Sequence, residues 1–288
     1  MNIVSLNICG LGENRKKDWV QSLRRLHKAS FFSLQETHLD GSHNREMIRE
    51  CWGDYNFEFV YENAFGRSGG LVSIWDKNYF TSFEVIKSRS FFIVIGIYSA
   101  FSCPVAFVNV YGPQSTFEKR KLWEELLLIK NSRIACWIVF GDFNVVRRQE
   151  ERINSMFCQS SANYFNKFIE LSGFHEPKMG GFRFTYFQKS RAKHTKLDRF
   201  LVCSEFSKFP HISVTALPRD KSDHCPILLS QSRAKFGPLP FNLFNSWLTG
   251  QGFDEVVSKA CREFSIFDPA DAKLLIKLKA IKKAIREW

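Results

Sequence analysis

Six stretches of this chain place a carboxylate, amide, hydroxyl or imidazole where an apolar run begins or ends. Asn7 follows Ile3-Val4-Ser5-Leu6, and Glu36 follows Phe31 to Gln35. Asn109 and Tyr111 close Val105 to Val110, and Asp142 and Asn144 follow Trp137 to Phe140 across Gly141. Asp198 sits within Lys196-Leu197-Asp198-Arg199-Phe200, and Ser222-Asp223-His224 precede Cys225 to Leu229. In extended backbone, side chains two apart share a side, so Asp142 and Asn144 face the same way. Taken singly, each has an ordinary structural reading: Asp and Asn cap helices and start turns, and a histidine before an apolar strand is commonly a core residue. Gathered at strand ends, they describe a site. Several carboxylates sharing one cleft cannot all stay ionised without a cation. Every candidate ligand is an oxygen donor and no cysteine cluster accompanies them, which points to Mg²⁺ or Mn²⁺ rather than Zn²⁺. A hard cation, a histidine and polar donors suit phosphodiester hydrolysis. The ion neutralises charge on the phosphate oxygens, while a carboxylate aligns and deprotonates the attacking water.

These groups need strands to deliver them. Asn2 to Ile8, Phe31 to Gln35 and Cys136 to Phe140 are short apolar runs with the length and composition of buried strands. Phe57 to Tyr61 and Leu71 to Trp75 read as strands around a Gly66 to Gly70 turn, and Phe91 to Tyr98 and Val105 to Tyr111 as a strand pair. Phe182 to Phe187, Leu197 to Val202, Ile212 to Ala216 and Pro226 to Leu229 supply further strands. Helical spacing appears in Trp19, Val20, Leu23 and Leu26, in Leu122, Leu126 and Ile129 of Lys119 to Lys130, and in Phe165, Phe168 and Ile169 of Ala162 to Leu171. Strands preceding helices, with strand pairs between them, indicate an α/β protein with mixed sheets.

Composition narrows the partners. The formal net charge of +12, with basic clusters such as Arg15-Lys16-Lys17, Lys119-Arg120-Lys121 and Arg191 to Lys196, favours a polyanion, nucleic acid before a membrane surface. No window approaches the ~18 uncharged apolar residues of a membrane span, and the chain opens on a strand-like run rather than a signal peptide. The 8 cysteines are scattered without a Cys-x-x-Cys pair, which argues against a zinc site or disulfide framework and for a reducing compartment. Near Ser230 the composition shifts. Gln231 to Pro240 reads as a linker, and Asp271 to Trp288 as an amphipathic helix with Leu274, Leu278, Ile281 and Ile285 on one stripe. The expected division is a domain over 1–230 and a linker with an amphipathic helical tail over 231–288, the helix either docking back on the domain or, the favoured expectation, marking a truncated piece of something longer.

The series Ser5-Leu6-Asn7, Leu34-Gln35-Glu36-Thr37, Ser68-Gly69-Gly70, Asn109-Val110-Tyr111-Gly112-Pro113, Gly141-Asp142-Phe143-Asn144, Lys196-Leu197-Asp198 and Ser222-Asp223-His224 resembles the endonuclease/exonuclease/phosphatase superfamily. More narrowly it is similar to the apurinic-type endonuclease domain of plant LINE (non-LTR) retrotransposons, through Leu217-Pro218-Arg219 and Phe244-Asn245-Ser246-Trp247-Leu248 among others. The resemblance implies a four-layer sandwich of two packed mixed β-sheets flanked by helices, here with a helical C-terminal extension. It implies Mg²⁺-dependent nicking of DNA that leaves 3′-hydroxyl and 5′-phosphate ends. Glu36 would be the principal metal ligand with Asn7 and Asp223 nearby, and Asp142 would activate the water. Asn144 and Tyr111 would hold the phosphate, and His224, oriented by Asp198, would stabilise developing charge or act as base. Thr185, Asn109 and Ser222 would complete the substrate contacts. The family usually has Trp before the first-strand Asn, where Leu6 stands here, so looser packing beneath Asn7 is expected. A nuclear DNA substrate and a reverse transcriptase encoded elsewhere follow from the same resemblance. A phosphatase of the superfamily and a catalytically idle nucleic-acid-binding remnant are the alternatives.

Overall fold

The computed structural model describes the chain except residues 42–43, 66–67, 100, 189–191, 208, 210–211, 232–240, 242, 244 and 263–269. In order, the elements of the larger part are β1 (Asn2–Asn7), α1 (Asn14–His27), β2 (Phe31–Gln35), α2 (Asn44–Trp52), β3 (Phe57–Phe65), β4 (Ser68–Asp76), β5 (Phe80–Lys87), β6 (Phe91–Tyr98) and β7 (Val105–Tyr111). They continue with α3 (Thr116–Asn131), β8 (Cys136–Asp142), β9 (Arg152–Ile153), α4 (Gln159–Leu171), β10 (Met179–Gly181), β11 (Tyr186–Gln188), β12 (Lys193–Thr195), β13 (Asp198–Val202), α5 (Ser204–Ser207), β14 (Ile212–Ala216) and β15 (Ile227–Gln231). The chain divides into two compact units, Met1–Arg233 and Ala234–Trp288.

Two large mixed sheets dominate the first unit. One runs β10-β14-β15-β1-β2-β4-β3 and the other β13-β8-β7-β6-β5. The parallel pairs β1/β2 and β7/β8 are bridged by α1 and α3, because a parallel pair needs a crossover rather than a hairpin. Alternation along β1 and β2 then sets the layers. Ile3 and Phe31 point between the sheets, where Phe31 meets Phe107 and Phe140 at 4.4 and 5.9 Å between ring centroids. Val4, Leu6, Phe32 and Leu34 point the other way and pack with Val20, Leu23, Ile48 and Trp52 of α1 and α2. On the far side of the second sheet, Trp123 of α3 stacks with Phe168 of α4 and meets Phe165 at a tilt. The result is the expected α/β sandwich of two mixed sheets with helices outside. Leu6 is fully buried in this packing.

Some elements differ from the sequence reading. Residues 182–185 are not strand, because the chain is crossing between sheets there: Phe182 N–H bonds to Ala216 O of β14 and Thr185 N–H to Thr195 O of β12. Only Tyr186–Gln188 is strand, in a small third sheet ordered β11-β12-β9. Edge strand β5 alternates in burial after Phe80, so it carries no continuous apolar run to announce it. Two residues of the predicted Gly66 to Gly70 turn, Arg191 of one basic cluster, and nearly all of the predicted linker lie outside the described residues. Gln231, the linker's expected first residue, ends β15 instead.

The second unit contains α6 (Phe253–Arg262), which the sequence reading missed, and α7 (Ala270–Glu287). Phe253 and Trp288 meet at 5.5 Å. The expected stripe on α7 is covered only toward its end: Ile285 is buried while Leu274 and Leu278 are exposed. No helix among the described residues is long and apolar enough to cross a membrane.

Candidate active site

The C-terminal ends of β1, β2, β7 and β8 open on one side of the sandwich, and their polar residues meet there. Asn7 Nδ2 donates to Glu36 Oε1 at 2.8 Å and to Asp142 Oδ2 at 2.9 Å, so one amide ties the two sheets' carboxylates together. The Tyr111 hydroxyl donates to the same Glu36 Oε1 at 2.8 Å. Asn144 N–H donates to Asp142 Oδ1 at 2.9 Å, and its side chain donates to Gly112 O at 2.8 Å. His224 lies within 3.8 Å of Asp142 through Nε2 and bonds to Asp198 Oδ2 through Nδ1 at 2.8 Å.

Local backbone makes this convergence. Glu36 and Asn144 both adopt left-handed φ, 52° and 50°. Strict strand alternation would send Glu36 to the opposite side from Gln35. The left-handed turn lets both reach toward the second sheet, and non-glycine residues held this way mark sites that the surrounding structure over-determines. Gly141 has φ 136°, and a Cβ there would lie 2.0 Å from Val110 O, so only glycine brings β8 this close to β7 beneath Asp142. On β13, Asp198 pairs directly with Asp142 of β8.

Electrostatics follow from burial. Asp142 is pushed up to about 6, chiefly by desolvation; His224 pulls it down and Asp198 adds to the rise. Burial alone would lower His224, yet the carboxylates of Asp198 and then Asp142 outweigh it and hold it up at about 10. Both carboxylates thus favour the protonated imidazole. Tyr111 is driven well above its ordinary range by burial and by Glu36, which keeps its hydroxyl a donor.

Three residues expected to touch substrate do not face the cleft. Thr185 is buried, and its Oγ1 accepts from the N–H groups of Leu197 and Asp198, each at 3.0 Å. Asn109 is buried between the sheets, bonded to Gln35, Val72 O and Ser73. Ser222 donates to Asn7 O at 2.7 Å and accepts from His224 N–H at 3.1 Å, clamping the histidine loop to β1. Their hydrogen bonds are spent inside the protein, so they position the site.

The cleft, about 360 Å³, is lined by Glu36, Asp142, Asn144, Asp223 and His224, and also by Arg152, Tyr186 and Lys193 of the small sheet. Lys193 falls in the Arg191 to Lys196 basic cluster and Tyr186 in the predicted Phe182 to Phe187 strand, but the sequence reading made none of the three a site residue, because strands of two or three residues have no readable period.

The family model described as "Endonuclease/Exonuclease/phosphatase family" matches residues 4–224, which span every group named above. The chain belongs to the endonuclease/exonuclease/phosphatase family. Solved members share its fold at low identity. An AP endonuclease, LMAP, from Leishmania major is 17% identical with TM-score 0.61 over 79% of this chain and 86% of its own. The 3′ phosphatase NExo from Neisseria, bound to product DNA hairpin, is 16% identical with TM-score 0.63 over 81% and 99%. The endonuclease domain of TRAS1, a telomere-specific non-LTR retrotransposon, is 12% identical with TM-score 0.57 over 79% and 96%. A search of curated proteins finds no match.

The family's hydrolytic chemistry suits a divalent ion, and the donors here fit one. Donor atoms of Asp142, Asp198 and His224 all lie within 4.8 Å of one another, close enough to share an ion. At the mouth, Glu36 lies 3.9 Å from exposed His38, and exposed Asp223 has no ion pair among the described residues.

Proposed function

We propose that this protein is a Mg²⁺-dependent phosphodiester hydrolase that nicks DNA, leaving 3′-hydroxyl and 5′-phosphate ends. The observation that carries the reading is the pair Glu36 and Asp142, contributed by opposite sheets and held by the single amide of Asn7, with the His224–Asp198 pair closing the other side. The ion is assigned to Glu36, Asn7 and Asp223, because the 2.8 Å bond between His224 Nδ1 and Asp198 occupies the alternative donor set. Mg²⁺, or Mn²⁺ in its place, supplies charge neutralisation on the scissile phosphate.

The chain's own groups do the remainder. Asp142, ionised above about 6 and fixed by Asn7 and Asn144, accepts the proton of the attacking water. Asn144 retains a second amide N–H for a phosphate oxygen beyond the one spent on Gly112 O. The Tyr111 hydroxyl is a neutral donor beside Glu36. His224 presents a fixed positive charge to the pentavalent phosphate, and Asp198 orients it. Arg152 and Lys193 on the cleft wall, with the +12 net charge, suit a polyanionic strand. Origin from a plant-type LINE element, nuclear residence and cooperation with a reverse transcriptase encoded elsewhere form the wider reading. The motif series supports it.

Supercoiled plasmid incubated with Mg²⁺ tests the proposal. Wild-type protein converts it to open circles whose nicks a polymerase extends and a kinase does not label until dephosphorylated. Glu36→Ala, Asp142→Asn and His224→Ala proteins do not. Undiminished nicking by all three overturns the site assignment. The same site would also serve a terminal phosphate, as the name of the Neisseria neighbour illustrates. Inorganic phosphate release from 3′-phosphorylated ends without internal nicking would favour that second reading.

A further inference from the structure

The interface between the two sheets is largely apolar; besides the buried Ser30–Tyr98 contact of 3.1 Å, just before β2 and at the end of β6, its polar groups gather in a strip directly beneath the cleft. Ser5, Ser33, Gln35, Ser73 and Asn109 are all essentially inaccessible. Asn109 reaches from β7 into the first sheet. Its Oδ1 accepts from Gln35 Nε2 at 2.6 Å, and its Nδ2 donates to Val72 O at 3.1 Å and to Ser73 Oγ at 3.2 Å. Gln35 Nε2 also donates to Ser5 Oγ at 3.0 Å. One side chain of the second sheet is thereby tied to β1, β2 and β4 of the first.

Such a strip is a poor way to gain stability. Burying amides costs free energy unless every group is answered, and Gln35 Oε1 has no partner among the described residues. What hydrogen bonds supply and apolar contacts do not is direction: packing resists separation, whereas a bond to a fixed acceptor also resists sliding. Position along the strands shows what sliding would disturb. Gln35 immediately precedes Glu36, and Asn109 lies two residues before Tyr111 on the same face of β7. The Asn109–Gln35 tie is therefore one rung below the Tyr111–Glu36 bond of 2.8 Å.

We infer that Asn109 and Gln35 form a register lock between the sheets, positioning Glu36 of one against Tyr111 and Asp142 of the other so that the ion site is assembled before the ion arrives. This rests on Glu36 being an ion ligand, as proposed above. Asn109 is a positioning residue.

Free Mn²⁺ measured by its electron paramagnetic resonance signal reads ion binding without turnover. Asn109→Leu and Gln35→Met each leave the other amide unanswered, whereas the double variant removes both amides and keeps the Ser33–Ser73 contact of 3.3 Å. The double variant is expected to unfold thermally near the wild-type temperature. It should still bind Mn²⁺ about 10- to 100-fold more weakly and lose a similar factor in nicking kcat with little change in KM. Asn109→Ser carries the same measurement should the apolar variants fail to fold. A folded variant lacking the tie that binds Mn²⁺ and nicks like wild type overturns the lock. Glu36→Ala, run alongside, separates the two ideas: if it binds Mn²⁺ normally, the ion-site reading fails instead.

Discussion

Arg199 is fully buried, yet it carries a charge, and its removal should unfold the protein more readily than any substitution at the cleft. Its guanidinium meets Glu176 at 2.8 and 3.0 Å and Glu151 at 3.0 Å, and also donates to Lys196 O at 3.0 Å. Arg147 and Lys196 complete the cluster on Glu176. The cluster joins β13, the loop after β8 and the segment after α4, so it fixes the backbone on both sides of Asp198 and Asn144. Two estimates of its worth agree. Burial would raise Glu176, but Arg199 and then Lys196 outweigh it and hold the carboxyl at about 2 against an ordinary 4.5. At 1.36 kcal/mol per unit, that shift corresponds to about 3 kcal/mol. Removing one partner of a buried pair typically costs about 3–5 kcal/mol. Arg199→Met should fall at the lower end, because Lys196 and Arg147 remain on Glu176.

The pH dependence carries a definite sign. A carboxylate with a depressed folded pKa contributes stability that is fully present above its unfolded value and lost as pH falls through its folded value. The wild-type advantage over Arg199→Met in urea unfolding should therefore be about 3 kcal/mol at pH 7, or ~6–12 °C in Tm. It should narrow between pH 4.5 and about 2 as Glu176 protonates. A difference below about 1 kcal/mol, or one that does not change with pH, refutes the account of the cluster.

Two further outcomes are expected. Mg²⁺ at 100 times its dissociation constant should stabilise the wild-type protein by about 2.7 kcal/mol, measured by thermal unfolding and reversed by EDTA, and should leave Glu36→Ala unchanged. Binding of a DNA duplex, followed by fluorescence anisotropy across salt concentrations, should weaken with a log–log slope of about −0.9 for each phosphate neutralised; charge reversal at Arg152 or Lys193 should flatten it, whereas substitution of Thr185 should not.

Much of the site could be read from the chain because the strands that deliver it are short, apolar and buried on both faces, so their ends stand out. Asn7, Glu36, Asp142, Asp198 and His224 were legible for that reason, and they converge. What failed was the assumption that a polar residue near such an end points outward. Asn109 and Thr185 are as polar as Asn144 and as close to a strand end, but they face inward. The difference lies in backbone torsion. Asn144 and Glu36 leave the strand in left-handed turns that swing them into the cleft, while Asn109 remains within β7 and keeps the alternation that aims it at the other sheet. Residue type hints at that choice for Asn144, since Asn tolerates left-handed φ better than most residues, but at Glu36 it is imposed by tertiary packing. The third sheet was hidden for a different reason. Its strands hold two or three residues each, and β9 joins β12 only across about 40 residues of chain, as when Lys196 N–H bonds to Glu151 O. Arg152, Tyr186 and Lys193 reach the cleft through that sheet, so although the Arg191 to Lys196 cluster could be read, its place on the cleft wall is what only the fold could supply.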